Sequence, residues 1–437
     1  MAHQRSEVLR PFTRRQFLKT AGTTTGALAL GVPTLNAARR IKVLPKPQNS
    51  GIEHIVVVCM ENRSFDHFVG WTPGAGGPPA GLAYTDENNV TYPIYPLVSP
   101  TMADYQGCGH PDPDHSYQGG RVEYNDGACD GWLRAGDNDL YAIGYYTQND
   151  LPFFAGAINA WTSCDRYFAP ILAGTYPNRF YLHAAQTDRL SNTLDISTLP
   201  TIWDRLAAHS LSAKYYFSDV PFLALWGLKY LPIINPISEF YADCAAGTLP
   251  KVSYVDPRLL GEEEGLSNDD HPHADVRNGE VFLNDVYNAV RTSPNWKNTI
   301  LVITYDEWGG FFDHVPPQRA PIPPATAAAG DTDGLRGFRV PTLVISPWSS
   351  AAEVSHTVFD HNSILNMIEW RWHLDPLTTR DATANNLAAA LDFSQQRLSA
   401  PAFAVPQGFF GAPCPVSSGV PTDWDGLALI AHALGII

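Results

Sequence analysis

Four β-branched residues in a row, Ile55 to Val58, followed by Cys59 and Met60, lack the polar alternation of a half-wet strand and predict a strand buried on both faces. Glu61 and Asn62 stand where that strand ends. In open parallel sheets ligands bind at the carboxyl ends of the strands, and Glu and Asn supply oxygen donors suited to a hard or borderline divalent cation. An isolated Glu-Asn pair also serves as an ordinary strand-end turn.

A second place is built the same way. Ile300 to Thr304 repeat the buried-strand pattern, Asp306 and Glu307 follow at its end, and Gly309-Gly310 lets the backbone turn away. Adjacent acids on a buried strand end repel and resist desolvation unless something positive neutralises them. A metal ion is the economical partner; an ion pair with Arg or Lys is the alternative.

The chain has 437 residues, 44% of them hydrophobic, enough for a large core. Thr13 to Lys19, TRRQFLK, place paired arginines before a weakly apolar stretch from Thr20 to Pro33 that closes on Asn36-Ala37-Ala38. This predicts a twin-arginine signal peptide over residues 1–38, too short and polar for a membrane span, with a basic N-terminal arm as the alternative. Residues 39–437 then form a single catalytic domain in a periplasmic or secreted protein. Without residues 1–38 the chain carries 24 basic and 43 acidic residues, net −19 against −15 for the whole sequence. So acidic a chain excludes a nucleic-acid partner and is not drawn to an anionic membrane by charge. Export permits disulfides among six spaced cysteines, with Cys108–Cys129 or Cys164–Cys244 as candidate pairs and Cys59 a packed thiol.

Residues 72–150, rich in Gly, Pro, Asp and Asn, predict a long loop, within which His110, Asp112, Asp114 and His115 cluster. Leu151 to Phe168 predict a buried helix and its exit. In Gly174-Thr175-Tyr176-Pro177-Asn178-Arg179, Pro177 marks a helix start, so Thr175 is either an N-cap or a hydroxyl nucleophile beside backbone donors at Pro177 to Phe180. Further helices are predicted over 201–211, 276–291, 363–372 and 424–434, and strands over 214–217, 251–255 and 340–346, in α/β alternation. The acid and histidine run Asn268 to Asp275 precedes the helix over 276–291, His356, Asp360 and His361 that over 363–372, and 316–329 reads as a surface loop.

The ordered blocks IEHIVVVCMENRSFDHFVGW, AGTYPNRFYL, DDHPHAD, YDEWGGFFDHVPP and FDHNSILNMIEW, within residues 52–375, resemble the phosphoesterase family of bacterial and plant phospholipases C and a secreted acid phosphatase. The resemblance implies an α/β, alkaline phosphatase-like three-layer sandwich with a central, mostly parallel sheet. It implies one divalent metal ion, Ca, Mg, Mn, Zn or Fe by donor type, held by Glu61, Asn62, Asp306 and Glu307, with Thr175 as metal-bound nucleophile. His115, His271 and His361 would line the phosphate pocket. Thr in place of Ser resembles the phospholipase C branch. The chain ends soon after the last block, without the added C-terminal domains of larger bacterial phospholipases C, which weighs against attack on packed lipid. The expected activity is phospholipase C-like hydrolysis of a phosphate ester, with phospholipid among the expected substrates, through a phospho-threonine intermediate; a broad-specificity acid phosphatase or a non-catalytic binding protein are the alternatives.

Overall fold

In the computed structural model, which describes residues 43–262, 264–415 and 423–437, the chain is organised by one sheet of eight strands. The strands are β1 (His54–Met60), β2 (Thr162–Cys164), β3 (Ala213–Phe217), β4 (Ile234–Pro236), β5 (Val252–Val255), β6 (Thr299–Tyr305), β7 (Leu343–Ile345) and β8 (Glu353–Ser355). Their order across the sheet is β4-β3-β5-β1-β6-β7-β2-β8. All neighbours are parallel except β6 with β7 and β7 with β2. The predicted twin-arginine segment lies outside the described residues.

The two long apolar runs become the central pair. β6 is buried throughout and β1 from its second residue on, as strands covered on both faces must be. They pair in parallel over their full length, from His54 opposite Thr299 to Met60 opposite Tyr305. That register decides where the acids go: Glu61 and Asp306 leave the sheet side by side, and the Asp306 amide extends the ladder to the Met60 carbonyl at 3.0 Å.

Helices cover the sheet in two sets. Pro152–Ala160 and Ile237–Ala246 pack on Val276–Thr292, while Ile202–Ala208 and His361–Trp372 pack on Thr175–Ala184. Strand β3 touches Ile202–Ala208 from the second set and Ile237–Ala246 from the first, so the sets lie on opposite faces and the predicted three-layer α/β sandwich is what the chain forms. Val276–Thr292 buries Val276, Leu283, Val286, Tyr287 and Val290 at helical spacing and is capped by the Asp275 carboxylate.

Four local expectations are corrected. Leu151 to Phe168 is a helix only to Ala160; Trp161 is extended (φ −131°) and β2 follows. The 316–329 loop contains the helix Pro324–Ala329, and residues 72–150 contain the short pairs Ala83–Thr85 with Thr91–Pro93, Tyr95–Pro96 with Gly144–Tyr145, and Val98–Ser99 with Met102–Ala103. The disulfide is Cys108–Cys414, neither candidate pair. Cys129, Cys164 and Cys244 are buried outside this disulfide, as is Cys59, in the last case as expected.

That disulfide ties the segment around Cys414 to the loop bearing the first histidine cluster. Gln106 donates to the Ala412 carbonyl at 3.0 Å and accepts from the Ala412 amide at 3.2 Å. The Cys414 amide reaches the Glu264 carbonyl at 3.0 Å, beside the second cluster. Replacing Cys108 and Cys414 together by Ser is expected to lower stability by about 2–4 kcal/mol, because the open chain regains loop freedom. Urea denaturation of the two proteins checks it.

Candidate active site

The turn after β1 and the turn after β6 interlock. Asn62 sits in the left-handed region (φ +57°), which asparagine tolerates, and its amide donates to Asp306 Oδ1 at 3.1 Å. Gly309 (φ +63°) lies so close that a Cβ there would stand 2.2 Å from the Asn62 carbonyl oxygen. Only glycine lets the two turns dock.

The third contributor is the helix Thr175–Ala184. Gly174 is its N-cap and Thr175 its first residue, so Thr175 is not itself the cap. The Asn178 side chain holds the approach, donating to the Gly174 carbonyl at 3.0 Å and accepting from the Ile171 amide at 3.1 Å. Thr175 Oγ1 donates to Glu61 Oε2 at 3.4 Å. The backbone donors expected at Pro177 to Phe180 are corrected: the Tyr176 amide is taken by Asn192 Oδ1 at 2.8 Å, Pro177 has no N–H, and the Asn178 amide turns back to the Gly174 carbonyl.

One turn along the same helix, Arg179 projects into the acid cluster. Its Nε donates to Glu61 Oε1 at 2.7 Å, Nη1 to Asp256 Oδ1 at 3.3 Å and Nη2 to the Cys59 carbonyl at 3.2 Å, with Asp306 Oδ2 at 3.7 Å. The Arg alternative for neutralising these acids is therefore present in part. Arg179 and Asp256 were not singled out from sequence; the signal was the four-residue spacing of Thr175 and Arg179, which puts both on one helix face.

One guanidinium does not neutralise four carboxylates. Burial drives the carboxyls of Glu61 and Glu307 well above the ordinary range and raises those of Asp306 and Asp256. Arg179 opposes the shift at Glu61, Asp306 and Asp256, and Asp306 adds to it at Glu307. Asn62 Oδ1, Asp306 Oδ2 and Glu307 Oε1 are buried acceptors without a hydrogen-bond donor. Orphaned oxygens among excess negative charge are what a divalent cation satisfies, so Glu61, Asn62, Asp306, Glu307 and Thr175 fit such an ion by donor type.

The three histidines differ. His115 Nδ1 donates to the Pro113 carbonyl at 2.8 Å, which leaves the Nε2 lone pair facing Asn62 Nδ2 at 3.4 Å and Glu307 Oε1 at 3.9 Å. His271 is buried, bonds the Pro272 carbonyl through Nδ1, and places Nε2 3.9 Å from Asp112 Oδ2. Burial, then His115, holds it well below the usual histidine range. The His115 and His271 rings stand edge to face, centroids 6.3 Å apart. His361 has both nitrogens engaged, Nε2 donating to the Asp306 carbonyl at 3.0 Å and Nδ1 accepting from Tyr167 at 3.1 Å; burial lowers it to about 4.

Among the described residues, Asp112, His115 and His271 bring ligand atoms within 4.8 Å of one another, as do Asp66, Asp313 and His314. The second group is a buried ion network: Arg339 donates to Asp66 at 2.8 Å and to Asp313 at 3.0 Å. The first adjoins a cleft of about 490 Å³ whose wall includes Asp112, Asp114, His115, Gly174, Asn192 and Asp423. The flanking candidates lie elsewhere. His110 pairs with Asp139 at 2.7 Å and His356 with Asp165 at 2.8 Å.

Residues 52–375 match the Phosphoesterase family. Non-specific phospholipase C1 of Arabidopsis thaliana is 33% identical over 372 residues, 76% of this chain and 69% of its own. Phospholipase C B of Mycobacterium tuberculosis is 31% identical over 456 residues, 87% of this chain and 86% of its own. A protein of the alkaline phosphatase superfamily from Vibrio parahaemolyticus aligns at TM-score 0.40 and 10% identity over 81% of this chain and 75% of that one, a likeness too distant to build on.

Proposed function

The chain belongs to the Phosphoesterase family, and on that premise we propose that it is an exported, metal-dependent phospholipase C-like hydrolase with Thr175 as nucleophile. The observation that carries this reading is the Thr175 hydroxyl, held at the first turn of its helix and aimed at Glu61 where β1 and β6 end together.

A divalent cation held by Glu61, Asn62, Asp306 and Glu307 would supply Lewis acidity toward the hydroxyl and the phosphate oxygens. The chain's own groups do the rest. Arg179 fixes one oxygen of Glu61, so that the other faces Thr175 Oγ1. As the Oγ–P bond forms, the Thr175 proton passes to Glu61 Oε2, and as the P–O bond to the alcohol breaks, His115, which enters the cycle with a proton already taken from solvent on Nε2, delivers it to the departing oxygen; Glu61 returns its proton to Oγ1 when the intermediate breaks. The Nε2 lone pair then takes a proton from water as the water oxygen bonds phosphorus and the P–Oγ bond of the phospho-threonine breaks. The Pro113 carbonyl holds the tautomer this exchange needs. His271 stands edge to face with His115, and His361, with no free nitrogen, acts by fixing the Asp306 backbone.

The test is hydrolysis of p-nitrophenyl phosphorylcholine and of p-nitrophenyl phosphate, before and after chelation and metal add-back. Chelator-sensitive hydrolysis of the diester is expected to exceed that of the monoester. Monoester cleavage alone would make the chain a phosphatase, and silence on both with metal bound would make it a binding protein.

A further inference from the structure

Among the described residues, five of the exposed large apolar side chains lie on elements that touch one another beside the cleft. Leu194 and Ile196 lie in the segment that starts at the cleft wall, Leu228 in the turn after Phe222–Trp226, Leu231 at the start of the short helix Leu231–Ile233 that follows, and Leu429 on the helix Asp423–Ala433. Leu429 is 69% exposed, Ile196 and Leu228 51% each, so half or more of each residue stays in water.

These elements touch. A Cβ added to Gly426 would stand 2.7 Å from Leu194 Cδ1, so the final helix rests on Leu194, and Leu429 follows Gly426 by three residues on the same helix face. A Cβ on Gly227 would stand 3.8 Å from Ile196 Cγ2, and the Ser197 amide bonds the Leu225 carbonyl at 2.7 Å, which joins the Leu228 turn to the same segment. The patch is also tied to the nucleophile. Tyr176, next to Thr175, donates its amide to Asn192 at 2.8 Å and its hydroxyl to the Asp423 carbonyl at 2.8 Å. Asn192 and Asp423 line the cleft, and Leu194 is two residues beyond Asn192.

We propose that Leu194, Ile196, Leu228, Leu231 and Leu429 form a rim that settles into a zwitterionic phospholipid surface and delivers the lipid phosphate to Thr175. The inference rests on the phospholipase C-like reading of the site. Two independent features select the occupant. The rim is contiguous with the cleft, so acyl and glycerol parts of a lipid meet apolar side chains while the phosphate enters. The cleft carries Asp112, Asp114, Asp137 and Asp423, and no Lys or Arg among the described residues lines it, which suits a head group bearing an ammonium beyond the phosphate and repels an anionic one. Net charge −15 over the whole sequence repels an anionic leaflet, so docking here depends on apolar contact. The sequence alone weighed against packed lipid; the rim supplies a contact surface within the catalytic domain itself.

The experiment uses vesicles of phosphatidylcholine and the full chain, unaltered, as Ile196→Asp with Leu228→Asp, and as Leu429→Asp. Expected are a loss of vesicle co-flotation in the double variant, at least tenfold slower hydrolysis of vesicle lipid, and hydrolysis of soluble p-nitrophenyl phosphorylcholine within twofold of the unaltered chain. Leu429→Asp, on a separate element, is expected to shift both vesicle readouts the same way. Flotation is repeated on Thr175→Ala, so the binding result stands whether or not the chain turns over. Vesicle binding and vesicle hydrolysis unchanged in both variants would overturn the proposal, as would failure of the unaltered chain to float with vesicles. Loss of soluble diester hydrolysis in the unaltered chain would instead count against the proposed function.

Discussion

Thr175→Ala is expected to reduce turnover at least about a thousandfold while the chain stays folded, because a covalent nucleophile has no substitute in its pocket. Thr175 is buried, yet the change removes only a methyl and a hydroxyl whose one bond, to Glu61, is 3.4 Å long. A stability loss of about 1 kcal/mol is expected from so weak a contact. A role as helix cap predicts the reverse, a stability effect without a rate effect, but Gly174 occupies that position. Thr175→Ser keeps the hydroxyl and is expected to retain measurable turnover. Rates on a chromogenic diester, with urea denaturation of the same samples, separate the two roles; full activity in a folded Thr175→Ala chain would refute the nucleophile.

Arg179→Met is expected to cost about 3–5 kcal/mol, because it strands Glu61 and Asp256 as buried carboxylates without their cation. The pH dependence follows from the direction of the shifts. Arg179 holds down the carboxyls of Glu61, Asp306 and Asp256, so its removal lets burial raise them further. A carboxyl whose folded value lies above its unfolded one destabilises the fold increasingly as pH rises between the two, and its penalty vanishes below the unfolded value. The deficit of Arg179→Met is therefore expected to be larger at pH 8 than at pH 5. Denaturation midpoints of both chains at the two pH values check it, and a deficit that grows on acidification would contradict the assignment.

How far the site could be read from sequence follows from how each part is encoded. β1 and β6 were legible because continuous apolar runs rich in β-branched residues favour buried strands, and each run ended in its acids at a fixed offset. What the runs do not encode is register, the feature that sets Glu61 beside Asp306. Arg179 escaped because a charged residue inside a helical pattern looks like a solvated face, and only the packing shows it buried against the strand ends. His361 read as a site residue from its block, whereas its nitrogens are engaged by Tyr167, 194 residues away, and by the Asp306 carbonyl. β2 was hidden because three residues, Thr162 to Cys164, carry too little pattern to separate a strand from a helix exit. The disulfide was illegible for a related reason: its halves are 306 residues apart, and chain spacing says nothing about which loops fold onto one another.

The position of β1 at the centre of the sheet has a consequence for how the chain is made. β1 is the first of the eight strands to leave the ribosome, and its two neighbours, β5 and β6, are synthesised about 200 and 245 residues later. Until then an apolar strand with two open edges waits in the nascent chain, where it is exposed to chance pairing with other chains. The centre of the sheet thus cannot close before β6 has been made, and a truncation anywhere before Thr299 leaves β1 without that partner.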